Sequence, residues 1–448
     1  MSKKLLVSSS VFFLTFLSSA HATNTSSRGL LDIYQLALSN DATYAAERFD
    51  ADALHASGSL YNSQLLPDVR LSANYAYNRN QVDYAPGSSL SDFERDFKSR
   101  GATLQLRQPV LRVDRYFGYR RDAINQQLSE LNLKLAEQNL ILRIASIYFE
   151  NLRETENLSV AVARKNAFLR SLDKANLSFQ LGTNTITDKL EAQARFDLAS
   201  SDEIEARSRL SSARENMRLI TGSVYTPFPL REDNVLPKLD NDNINGWKTK
   251  SESNNADLRK SMLSLQQASQ HVNAVRSEFL PQLELVGALS YYEGLSFGSD
   301  QTRNEASATL QFEMPIFSGG ATSSKLRQAV AQRERQRFLQ EQMARDVEIR
   351  TQTTYLSVID GYARLDALSQ AVKSSQSAME ATQKGLEVGI RTNLDLLNAQ
   401  QQYFETKRDY INQRFKYLYA LLELKAIAGE LDLEDLKKLD RLFGPADT

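Results

Sequence analysis

Two short turns combine a glycine, a threonine and an aspartate at the same spacing. The sequence reads LGTNTITDKLEAQ around Gly182 and VGIRTNLDLLNAQ around Gly389. The threonine three positions before each aspartate predicts a cap on the first turn of a helix, and the glycine predicts the end of the preceding helix. A chemical role is also open to Asp188 and Asp395. Carboxylates repeated around a symmetry axis attract cations and raise one another's pKa.

Other chemistry finds little support in the sequence. Residues 294–298 spell G-x-S-x-G, but a nucleophile elbow needs a strand-to-helix turn and a histidine partner, whereas this pentapeptide falls in a predicted strand-to-strand loop. The chain has no cysteine and its histidines are isolated, so no ligand cluster has the spacing of a metal site. We expect no enzyme, no metal and no other cofactor.

Basic and aromatic residues are mixed in the segment 112–121, which reads RVDRYFGYRR. A nucleic-acid surface is one interpretation, but the net charge of −1 and a predicted export signal oppose it. Arginine and aromatic side chains also favour the headgroup region of a membrane. We therefore expect an interfacial anchor here and no nucleic-acid partner.

The two turns occupy equivalent places in an internal duplication. MRLITG ends at Gly222 and LKAIAG at Gly429, and each lies equally far from its turn. A repeat this long indicates two half-proteins rather than a solenoid. We predict a signal peptide at 1–22 and a first repeat at 23–222, with strands at about 68–78 and 101–111. A linker at 223–252, near the equator of the folded molecule, leads to a second repeat at 253–429, with strands at about 282–292 and 306–316. The remaining residues, 430–448, form a C-terminal tail.

The predicted strands alternate between apolar and polar residues. Val69, Leu71, Ala73, Tyr75 and Tyr77 share one face of the first strand, and polar side chains occupy most of the other. Alternation over about 10 residues, with aromatics at one end, is typical of transmembrane barrel strands. A half-buried sheet in a soluble domain shows the same alternation, so this pattern leaves both possibilities open.

The helical segments are unusually long. Proline is absent from 110–226 and from 316–444, and the stretch from Arg112 to Leu181 could form one helix of roughly 100 Å. Its apolar residues form two seams on different faces, which predicts neighbouring helices on both sides, as in a tubular wall. The seams are Ile124, Leu128, Leu131, Leu135, Leu142 and Phe149, and Leu133, Leu140, Ile144 and Ile147.

The N-terminus has the pattern of an export signal. Lys3 and Lys4 precede an apolar run at 5–17, and the sequence A-H-A ends at Ala22, so the mature chain is predicted to begin at Thr23. If the four strands lie in a membrane, one chain cannot close a barrel, because open edges leave backbone groups unpaired in lipid. Two copies give a barrel filled by side chains, whereas three copies give twelve strands and a lumen. The sequence therefore predicts a homotrimer.

Taken in order, these features resemble the TolC-type outer membrane channel proteins. The similarity extends from LLDIYQLALSNDATYAAERFDADAL through both turns to the tail LDLEDLKKLDRLF. It implies a mainly α fold, in which a helical barrel of antiparallel coiled-coil helices adjoins a 12-stranded transmembrane β-barrel. It also implies a passive export duct, for small molecules or type I protein secretion, that extends from outer membrane lipid into the periplasm. The implied partners are a periplasmic adaptor (membrane fusion) protein and an inner membrane transporter.

The resemblance assigns roles to the turns at the periplasmic entrance. It places an aperture at Asp188, Glu191, Asp395 and Asn398, a gating tie from Arg391 to Thr187 and Asp188, and adaptor contacts at Leu181, Gly182, Thr183, Val388, Gly389 and Ile390. Two residues depart from the family pattern. Asn398 replaces the second acidic residue of the ring, and Leu386 stands where a tyrosine is expected.

A soluble periplasmic coiled-coil adaptor or scaffold is the alternative function. Such a protein would share the export signal and the long helices. It would not require four alternating strands at matching places before the long helices.

Overall fold

The computed structural model describes residues 27–89, 91–183, 185–231, 236–239, 243–296 and 299–444. The predicted signal peptide at 1–22, the end of the tail at 445–448 and the last two residues of the G-x-S-x-G segment lie outside them. The helices are α1 Leu30–Asn40, α2 Ala42–Ser63, α3 Val113–Gln180, α4 Ile186–Thr221, α5 Ile244–Asn254, α6 Ala256–Ser277, α7 Ala321–Glu387, α8 Asn393–Ile427 and α9 Leu433–Asp440. The strands are β1 Ser27–Arg28, β2 Asp68–Val82, β3 Phe93–Leu111, β4 Thr226–Pro227, β5 Gln282–Ser296 and β6 Ser299–Glu313.

Four strands form one antiparallel sheet in the order β2-β3-β5-β6. Cross-strand partners such as Leu71, Leu104 and Leu289 lie on the same face, and the opposite face carries the polar row of Ser72, Thr103 and Ser290. Large exposed apolar residues follow this face across all four strands. They are Val69, Leu71, Leu104, Leu106, Leu285, Leu289, Leu310 and Phe312. The alternation read from the sequence thus produces one continuous apolar face on an open sheet.

The strands do not end where the sequence suggested. β3 begins at Phe93 rather than near 101, because polar pairs continue the ladder beyond the apolar part: Tyr77 donates to Asp96 at 2.6 Å, and Arg79 pairs with Glu94. β6 spans 299–313 rather than 306–316 and ends at Glu313, which is the partner of Gln282, the first residue of β5. The expectation that 294–298 is a loop is wrong for residues 294–296, which belong to β5.

The long helices are confirmed. α3 has 68 residues and α7 has 67, which at the rise of an α-helix makes each about 100 Å long. α3 packs against α2, α4, α6 and α8, in agreement with its two apolar seams. With α4 it forms the first hairpin, and α7 with α8 forms the second. Among the described residues, no helix is both long and apolar enough to cross a membrane.

A compact core lies where the first and last described residues meet the middle of the long helices. Tyr148 of α3 is fully buried, and its hydroxyl lies 3.3 and 3.2 Å from the backbone carbonyl oxygens of Arg28 and Phe228. β1 and β4 pair in parallel at this point, and Leu230 forms a bridge with Phe443 of the tail. The described part of the tail, up to residue 444, is therefore joined to the core.

The segment predicted as a linker at 223–252 contains ordered structure. It includes β4 and most of α5, and the predicted boundary at 252 falls inside α5. Trp247 explains this arrangement, since it is buried against Val358 of α7 and Leu421 of α8. Burial of a large aromatic side chain outweighs the polar character that made this stretch look like a connection.

Candidate functional site

Both turns are built as the sequence predicted. Thr185 accepts a hydrogen bond from the Asp188 backbone N–H at 3.2 Å, and the Asp188 carboxylate accepts one from the Thr185 N–H at 3.2 Å. Thr392 and Asp395 repeat this reciprocal pair at 3.2 and 3.0 Å. The capping interpretation is thereby confirmed for α4 and α8.

The capping bonds also fix the charge of the second aspartate. The backbone N–H of Thr392, its hydroxyl and the nearby Arg391 hold the pKa of Asp395 below its usual range. The Asp188 carboxylate accepts a further hydrogen bond from the Thr185 hydroxyl at 2.7 Å. Asp188 and Asp395 are both half-buried and remain accessible to ions.

The hairpin tips expose apolar side chains. Leu181, Val388 and Ile390 are 70%, 72% and 78% exposed, and Thr183 is exposed beside them. Gly182 and Gly389 have φ angles of +74° and +79°, a conformation that strains other residues. Among the described residues, a Cβ at either glycine would meet nothing within 4 Å.

Arg391 does not reach its predicted partners within one chain. Its backbone N–H donates to the Gly385 carbonyl at 3.2 Å, and its Cγ would lie 2.7 Å from a Cβ placed on Gly385. Among the described residues, no hydrogen bond or ion pair joins Arg391 to Thr187 or Asp188. The tie from Arg391 stays a prediction.

A different arginine joins the two hairpins. Arg195 of α4 donates to the Asn398 side-chain oxygen at 3.1 Å and also to the Gln401 side-chain oxygen. Asn398, predicted at the aperture, therefore accepts a hydrogen bond from the first hairpin. Sequence reasoning missed Arg195. The departure at Asn398 was a signal, but nothing in one sequence pairs residues this far apart.

The contact between the hairpins continues away from the tips. Leu397 is fully buried against Phe168 and Leu172, and the Ser171 hydroxyl donates to Gln400 at 3.3 Å. The second hairpin thus rests on the first through a small apolar cluster flanked by polar bonds.

Further along α3 and α8 the contact becomes charged. Glu156 pairs with Arg414, and Asn157 donates to Asn412 at 3.1 Å. Burial raises the pKa of Glu156 above its usual range, although Arg414 acts in the opposite direction. This part of the interface therefore holds a partly buried ion pair, and separating it would leave each charge without its partner.

Comparison with known proteins identifies the same architecture elsewhere. The family model described as outer membrane efflux protein matches residues 33–223 and 247–430. The chain is 29% identical over 429 residues to the alkaline protease secretion protein AprF of Pseudomonas aeruginosa, covering 94% of this chain and 88% of that protein. It is also 29% identical over 437 residues to the outer membrane protein TolC of Vibrio cholerae, covering 94% and 96%.

Solved structures share the fold at low sequence identity. The outer membrane channel CmeC of Campylobacter jejuni superposes with a TM-score of 0.77 at 16% identity, covering 99% of this chain and 98% of that one. The outer-membrane channel OprN also has a TM-score of 0.77 at 16% identity, with 90% of each chain covered. The arrangement of strands and long hairpins described above is therefore the fold of these channels.

Proposed function

Because the chain belongs to the outer membrane efflux protein family, we propose that it is the subunit of a passive export duct in the outer membrane. The relatives named above are outer membrane and secretion proteins rather than enzymes. The soluble adaptor is accordingly not favoured. The cargo of the duct is either small molecules or secreted proteins.

The observation that carries this proposal is the open sheet with one apolar face. Its edge strands, β2 and β6, have no partner on their outer sides among the described residues. In lipid such edges must be paired, and a second copy of β2 can pair with β6. Three copies then give a barrel of twelve strands that faces lipid with its apolar side and keeps polar residues inside.

Below the barrel, the long hairpins of three copies would form a helical tube. Helices of about 100 Å could extend through the periplasm as the wall of a tube, whereas a compact domain would not need helices of this length. The exposed apolar tips around Gly182 and Gly389 then face a periplasmic adaptor, and an inner membrane transporter supplies the energy for export. The duct itself has only to open and close.

Opening is proposed to occur at the hairpin tips. In a trimer, Asp188, Glu191 and Asp395 each appear three times around the axis and would favour cations in the aperture. Arg391 would close the aperture by reaching Thr187 and Asp188 of a neighbouring copy. An outward movement of the second hairpins would then widen the passage like an iris.

The test combines oligomer mass with conductance in a planar bilayer, using detergent-extracted protein. We expect a trimer with small, cation-preferring currents. Leu289→Asp, on the apolar face, should prevent membrane insertion, whereas Ser290→Asp, the next residue on the polar face, should be tolerated. A monomer or dimer without current, released from membranes by carbonate, would refute the duct.

A further inference from the structure

We propose that Arg195 is a latch that holds the two hairpins of one chain together and exchanges partners when the aperture opens. In the closed arrangement it binds Asn398 and Gln401, and in the open arrangement it pairs with Glu191. The latch rests on the proposed function, because it concerns how that duct opens.

The bonds that we assign to the closed arrangement are present in the structure. Asn398 and Gln401 are three positions apart on α8 and so present their side-chain oxygens on one face. Arg195 reaches both with separate nitrogens of its planar guanidinium. Gln401 is oriented by its own donation to Glu405 at 2.8 Å, which turns its oxygen toward the arginine.

The acceptors in this arrangement are neutral. Hydrogen bonds from a guanidinium to amide oxygens are charge-assisted, but they lack the attraction between opposite charges. Bonds of this strength would hold the hairpins together in the closed state and would still break each time the aperture opens. A carboxylate at 398 would instead form an ion pair with Arg195 across the hairpins. The neutral side chain that departs from the family pattern is thus what keeps the latch reversible.

A second partner lies on the helix of Arg195 itself. Glu191 is four residues earlier on α4, and a glutamate and an arginine at this spacing and in this order form a favourable pair. In this structure Glu191 has no ion pair among the described residues, so its carboxylate is available to Arg195. When α8 moves away, Arg195 can turn to Glu191 and its charge remains compensated.

If Arg195 exchanges partners in this way, removing the arginine and removing the Glu191 charge should change the ratio of open to closed states in opposite directions. Arg195→Ala should raise the ratio of open to closed states about threefold to tenfold per chain, because the charged donor between the hairpins is lost. Glu191→Gln should lower the ratio by up to about twofold, because only the open state loses its pair. In the double variant, Glu191→Gln should have no further effect.

The experiment measures open-state occupancy in planar bilayers and amide hydrogen exchange at the start of α8 on the same trimer. Arg207→Ala is the matched control, since Arg207 pairs with Glu203 at 2.5 Å on α4 in the same i, i+4 geometry but has no bond to α8 among the residues that the structure describes. Arg195→Lys keeps the charge without the planar fork, and we expect an intermediate effect from it.

The outcomes separate the latch from the duct. If Arg195→Ala and Arg207→Ala give the same occupancy and the same exchange, Arg195 is not a latch, although the duct stands. If Glu191→Gln raises occupancy, the exchange of partners is wrong. If the wild-type protein carries no current, the proposed duct is wrong. Faster amide exchange in Arg195→Ala but not in Arg207→Ala would even then support the contact between the hairpins.

Discussion

Replacement of Leu397 by alanine should open the duct. Leu397 is fully buried between α8 and the first hairpin, in contact with Phe168 and Leu172. Removing a buried leucine side chain costs about 2–5 kcal/mol, which includes the cavity left behind. If opening separates α8 from the first hairpin, the closed state alone loses this contact. At the low end of the range, the ratio of open to closed states should rise roughly 30-fold per chain.

The control for this variant lies on the same helix. Leu418 is also fully buried in α8, but it belongs to the core around Tyr148, away from the tips. Leu418→Ala should lower the melting temperature as much as Leu397→Ala does, without changing open-state occupancy in a planar bilayer. If both variants lower stability and neither changes occupancy, α8 stays packed on α3 during opening, and the iris movement as described is wrong.

Three further variants and one titration test the remaining inferences. Asp188→Ala combined with Asp395→Ala should raise conductance and weaken block by multivalent cations; unchanged currents would leave both residues as helix caps. Arg391→Ser should raise open-state occupancy, and unaltered occupancy would count against the tie between copies. Since the capping bonds hold the pKa of Asp395 below its usual value, its carboxylate and its cap should persist while the pH falls through the usual titration range of aspartate and be lost only below it; loss of cation block near pH 6 would contradict this and show that repulsion between the copies outweighs the capping bonds. Tyr148→Phe removes the donor to two backbone carbonyls and should cost about 1–2 kcal/mol in the free energy of unfolding, measured by denaturant titration; an unchanged midpoint would show that other groups satisfy them.

Much of the fold could be predicted from local patterns in the sequence. The capped turns at Thr185 and Thr392 depend on residues three apart, so the sequence alone reveals them. The long helices likewise follow from the absence of proline and from the apolar seams of α3. The channel fold of the family could be predicted because strands, long helices and capped turns occur in the same order in both halves of the sequence.

Non-local contacts explain what could not be predicted. The charged start of β3 looks like a loop, and only its partners on β2 make it a strand. Trp247 orders a polar segment through residues more than 100 positions away. Arg195 was missed for the same reason, because its acceptors lie on the other half of the duplication.

The close contact of α7 and α8 at Gly361 bears on how far the hairpin tips could move. A Cβ on Gly361 would lie 3.3 Å from Gln413 Nε2, which donates to the Gly361 carbonyl at 3.2 Å, so the two helices are in near-contact there. If α8 pivots at this contact during the proposed opening, its part from Gln413 to Asn393, about 30 Å long, would act as a lever arm. A rotation of about 10° would displace the tip by roughly 5 Å over that length. Under the proposed opening, a small rotation at this contact would thus give a large change in bore, and a bulkier residue at 361 would reduce that amplitude without touching the aperture.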